Sequence, residues 1–405
     1  MKLQTLYMSF AAVLSGVAAL PAGGLLTARD NQINAAKYEK TTSDTLWNLF
    51  WDQQQGYFSS EASSCQSASS RPAVLWDSAV AARAIVARGD KTSAQQVADA
   101  LGKFQDQTGW FAATIGGSEY YTDDNSQVLW VLLEAYHVTG NKTLLSMAQP
   151  LFSRLSGQWD DQTGGVRWSV NGNYLASISA TETALSGVMI YNATHDKNAL
   201  SFAEKSLKWL FDNLEDSSDG FFYDGKDANS GNINRGKLMY TVGTAISSLA
   251  YLAKYTGNND YHSKAVKLAQ ALTSQSGAFY GSSGYWNNAL QFQYLAYRGL
   301  ADLKTANPPG LLEYLTYNDI SSEVLREGKM LTTYKMNSTT GYFYNNPLSF
   351  SHASYEKYNN AFSTGKSYTP DKKYFCQGST SGANAPSLIE TASGALILNA
   401  IQKFQ

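Results

Sequence analysis

Apolar residues in this chain recur at intervals of three and four, the spacing that lays one face of a helix against a core. Leu129, Val131, Leu132 and Tyr136 show it in one stretch. The pattern predicts helices that fall into two alternating sets. One set covers roughly residues 38–52, 91–105, 143–156, 198–214, 260–274 and 321–336. The other covers roughly 73–88, 123–138, 179–193, 239–255, 286–303 and 386–403. The second set is richer in small and apolar residues, as in Ala79-Val80-Ala81-Ala82-Arg83-Ala84-Ile85-Val86, which marks it as the more buried one.

A glycine beside an aromatic-rich segment separates the two helices of each pair. The copies are Gly56-Tyr57-Phe58, Gly109-Trp110-Phe111, Gly164-Gly165-Val166-Arg167-Trp168, Gly220-Phe221-Phe222-Tyr223, Gly277-Ala278-Phe279-Tyr280 and Gly341-Tyr342-Phe343-Tyr344. Their glycines recur every 53 to 64 residues or so, longer than most solenoid repeats. Short turns such as Gly89-Asp90-Lys91-Thr92 and Gly140-Asn141-Lys142-Thr143 join one pair to the next. Long connections therefore gather on one face and short turns on the other. Six hairpins predict an all-α fold, a closed (α/α)6 barrel with six inner helices inside six outer ones. An open helical solenoid is the alternative architecture. Function is expected on the long-loop face.

Composition supports this picture. Hydrophobic residues are 43% of the chain and charged residues 16%, so the core is well supplied and disorder is excluded. The net charge is −2 with no basic block, which removes the electrostatic basis for binding nucleic acid. Aromatic residues are 13%, including 26 Tyr and 9 Trp, and such rings serve either as core or as platforms for sugars.

Residues 1–22 read as a secretory signal: Lys2, a mostly apolar run from Leu6 to Leu20, and a cleavage site near Ala18 to Ala22. The other reading, a membrane anchor, meets a run that is short and broken by Ser9, Ser15 and Gly16. Residues 23–405 are then expected to be a single catalytic domain, secreted and extracellular. Asn141, Asn192 and Asn337 head glycosylation sequons. Cys65 and Cys376 can pair in an oxidising compartment, and a bond between them would favour ring closure.

On the long-loop face, Tyr121-Thr122-Asp123-Asp124-Asn125 opens an inner helix, with Thr122 as the expected N-cap. Two readings stand for Asp123 and Asp124. Acids in a first turn complement the helix dipole. Paired carboxyls also meet the need of glycoside cleavage for a proton donor and a nucleophile or base. Asp77, Asp160, Asp161, Glu182, Asp219 and Asp224 are competing acids, and Trp76, Trp110, Trp168 and Trp286 are candidate sugar platforms. His137, His195 and His262 fall at the short turns, and no His/Cys cluster has metal-ligand spacing, so neither metal nor cofactor is expected. Gly378-Ser379-Thr380-Ser381-Gly382 has Thr where a nucleophile elbow needs Ser.

The hairpins, Tyr121-Thr122-Asp123-Asp124 and Gly164-Gly165-Val166-Arg167-Trp168 together resemble glycoside hydrolase family 76, the endo-α-1,6-mannanases, over about residues 35 to 403. The resemblance implies a retaining mechanism without metal, Asp123 as nucleophile and Asp124 as general acid/base. It implies a mannan or related polysaccharide as partner and places Trp168 in the substrate groove. Trp76, Tyr121, Asn125, Glu182 and Tyr240 are the further expected substrate contacts, and a monomer is expected. The chain departs from the family's Tyr-Asn-Gln-Gly element, reading Tyr240-Thr241-Val242-Gly243, and this change is expected on the substrate face. Transglycosylation and non-catalytic glycan binding are the alternative functions. A uronic-acid hydrolase would need basic residues in the funnel, for which Arg71 and Arg167 are the candidates.

Overall fold

The computed structural model describes residues 33–65, 71–306 and 314–405. The segment read as a secretory signal lies outside them.

Helices alternate between an outer and an inner ring. The outer helices are α1 (Ala35–Phe50), α3 (Lys91–Leu101), α5 (Lys142–Ser156), α7 (Lys197–Leu214), α9 (Asn259–Leu272) and α11 (Tyr314–Tyr334). The inner helices are α2 (Leu75–Val86), α4 (Thr122–Thr139), α6 (Ser177–Thr194), α8 (Met239–Thr256), α10 (Leu290–Ala306) and α14 (Leu388–Ile401). Each inner helix packs against the next, and α14 packs on both α10 and α2. The ring is therefore closed, as an (α/α)6 barrel, and the solenoid is excluded.

The two rings differ as their sequences dictate. On α7 the buried residues Ala199, Ala203, Leu207, Leu210 and Leu214 form one stripe at helical spacing. On α4 every residue from Thr122 to Leu133 is buried, because outer helices cover one side and the barrel interior the other. Close contact also uses glycine. A Cβ on Gly243 of α8 would come within 2.2 Å of the Leu295 carbonyl oxygen on α10, and one on Gly299 within 2.2 Å of the Gly243 oxygen. These two glycines bring the α8 and α10 backbones together. Gly243, the glycine that the chain keeps from the family's Tyr-Asn-Gln-Gly element, thus serves helix packing.

Short turns share one device. Gly140, His195 and Gly257 end their helices in the left-handed conformation, and the residues that follow, Asn141, Asp196 and Asn258, cap the next helix by accepting from a backbone N–H. The sequon residue Asn141 is engaged as a cap and also donates to Gln95 at 3.0 Å.

On the long-loop face, the end of each outer helix forms an antiparallel bridge with the aromatic segment after the turn glycine. The pairs are Trp51↔Phe58, Gln105↔Phe111, Trp159↔Val166, Glu215↔Phe222, Tyr280↔Trp286 and Met336↔Phe343. The fifth differs from expectation. Its turn glycine with positive φ is Gly284, ahead of Tyr285-Trp286, and Gly277-Ala278-Phe279-Tyr280 precedes the turn. Strands β1 (Trp51–Asp52) and β2 (Tyr57–Phe58) pair across the first turn, and β3 (Tyr174–Ala176), β4 (Gly225–Asp227) and β5 (Ile233–Asn234) form a small antiparallel sheet that joins the third and fourth long connections. The sixth connection carries two helices that lack a readable periodicity, α12 (Pro347–Phe350) and α13 (His352–Phe362). A small satellite core of Tyr344, Phe350, Tyr374 and Phe375 holds this segment together. A Cys65–Cys376 disulfide ties it to the first hairpin.

At the short-turn end, an ion network plugs the barrel. Arg83 binds Glu134 at 2.9 to 3.1 Å, and Arg298 binds both Glu134 at 3.1 Å and Asp302 at 2.9 Å. Asp302 also accepts from Ser247 and Tyr251. A cavity of about 520 Å³ opens beside these residues. Arg83, Glu134, Arg298 and Asp302 in its lining are paired with one another, and Lys403 adds a further positive charge at this end of the barrel.

Candidate active site

Asp123 and Asp124 lie in the first turn of α4, at the long-loop end of the barrel. The N-cap is Tyr121 in extended conformation, with no side-chain cap. Thr122, expected as the cap, is the first helical residue. Its amide donates to the Trp168 carbonyl at 2.7 Å and its hydroxyl to the Arg167 carbonyl at 2.6 Å. Thr122 thus stitches the acid pair to the third long connection. The Trp168 amide in turn donates to the Tyr174 carbonyl at 2.8 Å, anchoring that segment to β3.

The glycines of the Gly164-Gly165 pair have a packing reason. Both have positive φ, and a Cβ on Gly165 would come within 2.4 Å of the Trp209 indole. The Trp209 ring therefore lies flat against the turn that delivers Trp168.

Trp168 is 39% exposed, and its indole N–H donates to Asp123 Oδ2 at 2.9 Å. The amide of Asp124 donates to Asp123 Oδ1 at 3.1 Å. Both oxygens of Asp123 are thus held. Tyr121 packs on Trp168 with ring centroids 4.8 Å apart. Tyr240 stacks on Trp76 at 6.1 Å and meets Phe292 at 4.9 Å.

The pair is recessed, with Asp123 3% and Asp124 7% exposed. The sequence predicts a pair open to the funnel; in the fold both acids are instead almost wholly buried, because the third long connection is bound to the first turn of α4. Burial pushes the Asp123 carboxyl up to about 6, against the pull of the Trp168 and Asp124 N–H groups that favour its anion. Burial, then the charge of Asp123, then that of Asp77, raises Asp124 well above the usual carboxylate range. Burial also pushes Asp77, in the first turn of α2, up to about 6. Asp224 adds a further negative charge near Asp123 and accepts from Tyr174 and from Asn234.

The other expected contacts divide. Trp168 and Tyr121 flank the pair, and Tyr240, only 7% exposed, lies within reach of the Asp123 charge with Trp76 stacked on it. Asn125 is fully buried and spends its amide on the backbone: Oδ1 accepts from Phe111 at 2.9 Å, and Nδ2 donates to the Phe111 and Tyr121 carbonyls, each at 2.9 Å. It is a clamp under the site and has no surface for substrate. Glu182 is likewise 0% exposed, inside the barrel below the pair. Trp110 and Trp286 are core residues, and the Trp286 indole is bound to the Leu272 carbonyl. Arg167 is paired with Asp160, so it does not offer a free cation to a uronic acid. Gln127 and Tyr294, missed in the sequence, meet inside the barrel at 2.9 Å. The i, i+4 spacing from Asp123 to Gln127 is the signal that marks Gln127. Among the described residues, no group of three or more His, Cys, Asp or Glu side chains is arranged to hold a metal ion.

A double ring of helices with two buried acids at one end has the architecture of the six-hairpin class. The family model for glycosyl hydrolase family 76 matches residues 34–340, and the chain belongs to that family. The mannan endo-1,6-alpha-mannosidase DCW1 of Candida albicans is 28% identical over 141 residues, which cover 32% of this chain and 31% of that protein. The matched stretch therefore spans about a third of that relative's length. Among solved structures, the GH76A alpha-1,6-mannanase from Salegentibacter sp. HEL1_6 superposes with a TM-score of 0.70 at 18% identity, covering 92% of this chain and 100% of its own. A variant of that enzyme, inactive through substitution of two adjacent aspartates, is known in complex with alpha-1,6-mannotriose. Dfg5 from Chaetomium thermophilum, in complex with glucosamine, superposes with a TM-score of 0.58 at 13% identity, covering 81% of this chain and 79% of its own.

Proposed function

We propose that this chain cleaves α-1,6-linked mannan with retention of configuration, using Asp123 as nucleophile and Asp124 as general acid/base. The observation that carries the reading is the asymmetry of the pair. Asp123 has two N–H donors that favour its anion, whereas Asp124 sits beside that anion and keeps its proton. Asp123 attacks the anomeric carbon as the glycosidic bond breaks, and the leaving oxygen takes the Asp124 proton. Water then gives a proton to Asp124 and its hydroxyl to the anomeric carbon, which releases Asp123. Trp168 with Tyr121, and Trp76 with Tyr240, are the apolar walls on which sugar rings pack. The substrate of the mannanase relatives supports the choice of mannan. Export through residues 1–22 is part of the same reading and fits a polysaccharide outside the cell.

Transglycosylation is the second reading. It shares the glycosyl-enzyme of the first and differs only in the acceptor, a sugar hydroxyl in place of water. The test is to incubate purified protein with α-1,6-mannotetraose, with and without an added acceptor oligosaccharide, and to analyse the products. Shorter mannosides establish hydrolysis, and extended acceptors establish transfer. No product of either kind, with protein that is folded, rejects the enzymatic reading.

A further inference from the structure

Glu182 lies on α6, fully enclosed by the barrel. Its Oε1 accepts from Gln127 Nε2 at 2.8 Å, and its Oε2 is buried with no partner in the chain. Gln127 stands one helical turn below Asp123 on α4, and its own carbonyl accepts from Tyr294 on α10 at 2.9 Å. One turn further down, the Trp130 indole donates to Ser186 at 3.0 Å, and Ser186 donates to the Glu182 carbonyl at 2.8 Å. Two successive cross-links therefore fasten α4 to α6 directly beneath the acid pair.

The groups that face Glu182 come from every neighbouring element. They are Asp123 and Asp124 on α4, Arg83 on α2, Tyr240 on α8 and Tyr294 on α10, with Asp77 and Asp224 bordering the pair itself. The one cation among them, Arg83, is bound to Glu134. An ionised Glu182 would be a buried carboxylate with a single amide donor and no ion-pair partner, a state that costs several kcal/mol. A protonated Glu182 avoids the charge penalty: Oε1 accepts from Gln127 and Oε2 carries the proton, which leaves only one unpaired O–H, a smaller cost than a buried charge.

We propose that Glu182 is a positioning residue of the reaction, a carboxylic acid kept neutral inside the barrel that holds the first turn of α4 in place through Gln127 and leaves the charge at the site to the aspartate pair. Burial followed by the charge of Asp123 holds Glu182 well above its usual range, in agreement with this. The proposal rests on Asp123 and Asp124 being the reacting pair, but not on the identity of the glycan.

The test compares wild type with Glu182→Gln and Glu182→Leu on α-1,6-mannotetraose. Gln reproduces the neutral acid, so kcat and KM stay within about 3-fold and both limbs of the pH profile within about 0.3 unit. Leu removes the link, so kcat falls more than about 10-fold with KM little changed. A shift of about one unit in either limb for Glu182→Gln shows that Glu182 is ionised and overturns the proposal. Full kcat in Glu182→Leu overturns it as well. If the Leu variant does not fold, Gln127→Leu replaces it with the same expectation. If wild type cleaves no mannan, the functional reading fails and Glu182 is tested separately. The fluorescence difference between wild type and Trp168→Phe then follows ionisation of Asp123, and its midpoint must not move on adding Glu182→Gln.

Discussion

Trp168 and Asp123 stand 45 residues apart in the chain and 2.9 Å apart in space, indole nitrogen to carboxylate oxygen. That hydrogen bond favours the Asp123 anion against burial. Trp168→Phe keeps a ring beside Tyr121 but loses the donor, so the Asp123 carboxyl rises further. Cleavage requires the anion, so the acid limb of the pH profile moves up by about 0.5–1 unit and kcat/KM falls by roughly 10- to 100-fold. A pH series of initial rates on mannotetraose checks this.

Asp123 and Asp124 are separable by leaving group. Asp124→Asn removes the proton donor, which an activated aryl mannoside does not need, so the first step survives on that substrate and is lost on mannan. Asp123→Asn loses both. Equal residual rates for the two variants on the aryl substrate would contradict the assigned roles.

The raised carboxyls make stability depend on pH. Asp77 and Asp123 titrate near 6 in the folded chain, against a usual value of 3.8. An unfolded chain releases these protons near pH 4, whereas the folded chain keeps them until about pH 6. Stability from these groups is therefore full below pH 4 and declines as pH rises to about 6. Asp77→Asn removes one such penalty and stabilises the fold at pH 7 by on the order of 1–3 kcal/mol, with the gain vanishing below pH 4. Denaturant unfolding at pH 4 and pH 7 measures the difference.

Gly243→Ala places a methyl against the α10 backbone, where no side chain can move aside. The expected cost is about 1–3 kcal/mol or more, from overpacking. Thermal unfolding detects it. Gly89→Ala has open space around its Cβ but a positive φ of 75°, so it loses stability through backbone strain rather than through a clash.

Much of this architecture is legible in the chain because helical hairpins are local objects. The alternation of amphipathic outer helices with inner helices richer in small and apolar residues is written in the chain, and the Asp123-Asp124 dipeptide stands out by its place in the first turn of such a helix. Long-range relations were not legible. Asn125 reads as a polar residue of the site, but whether its amide meets a sugar or the Phe111 backbone depends on a contact 14 residues away. Glu182 reads as a substrate contact because no local pattern records that Gln127, 55 residues away, will bind it inside the barrel. The fifth turn is hidden in the sequence because Gly277-Ala278-Phe279 imitates the repeat. The left-handed glycine that makes the turn is Gly284, and sequence does not report φ.

Closure of the ring carries a topological corollary. α14 packs on α1, and the side chain of Gln405 donates to the carbonyl of Ile33, so the two ends of the described fold touch. The barrel thus has no intrinsic origin: any of its six hairpins can serve as the first. A circularly permuted chain, with residue 405 linked to residue 33 and new ends opened at the tight turn between Gly140 and Asn141, should reach the same architecture with its acid pair intact.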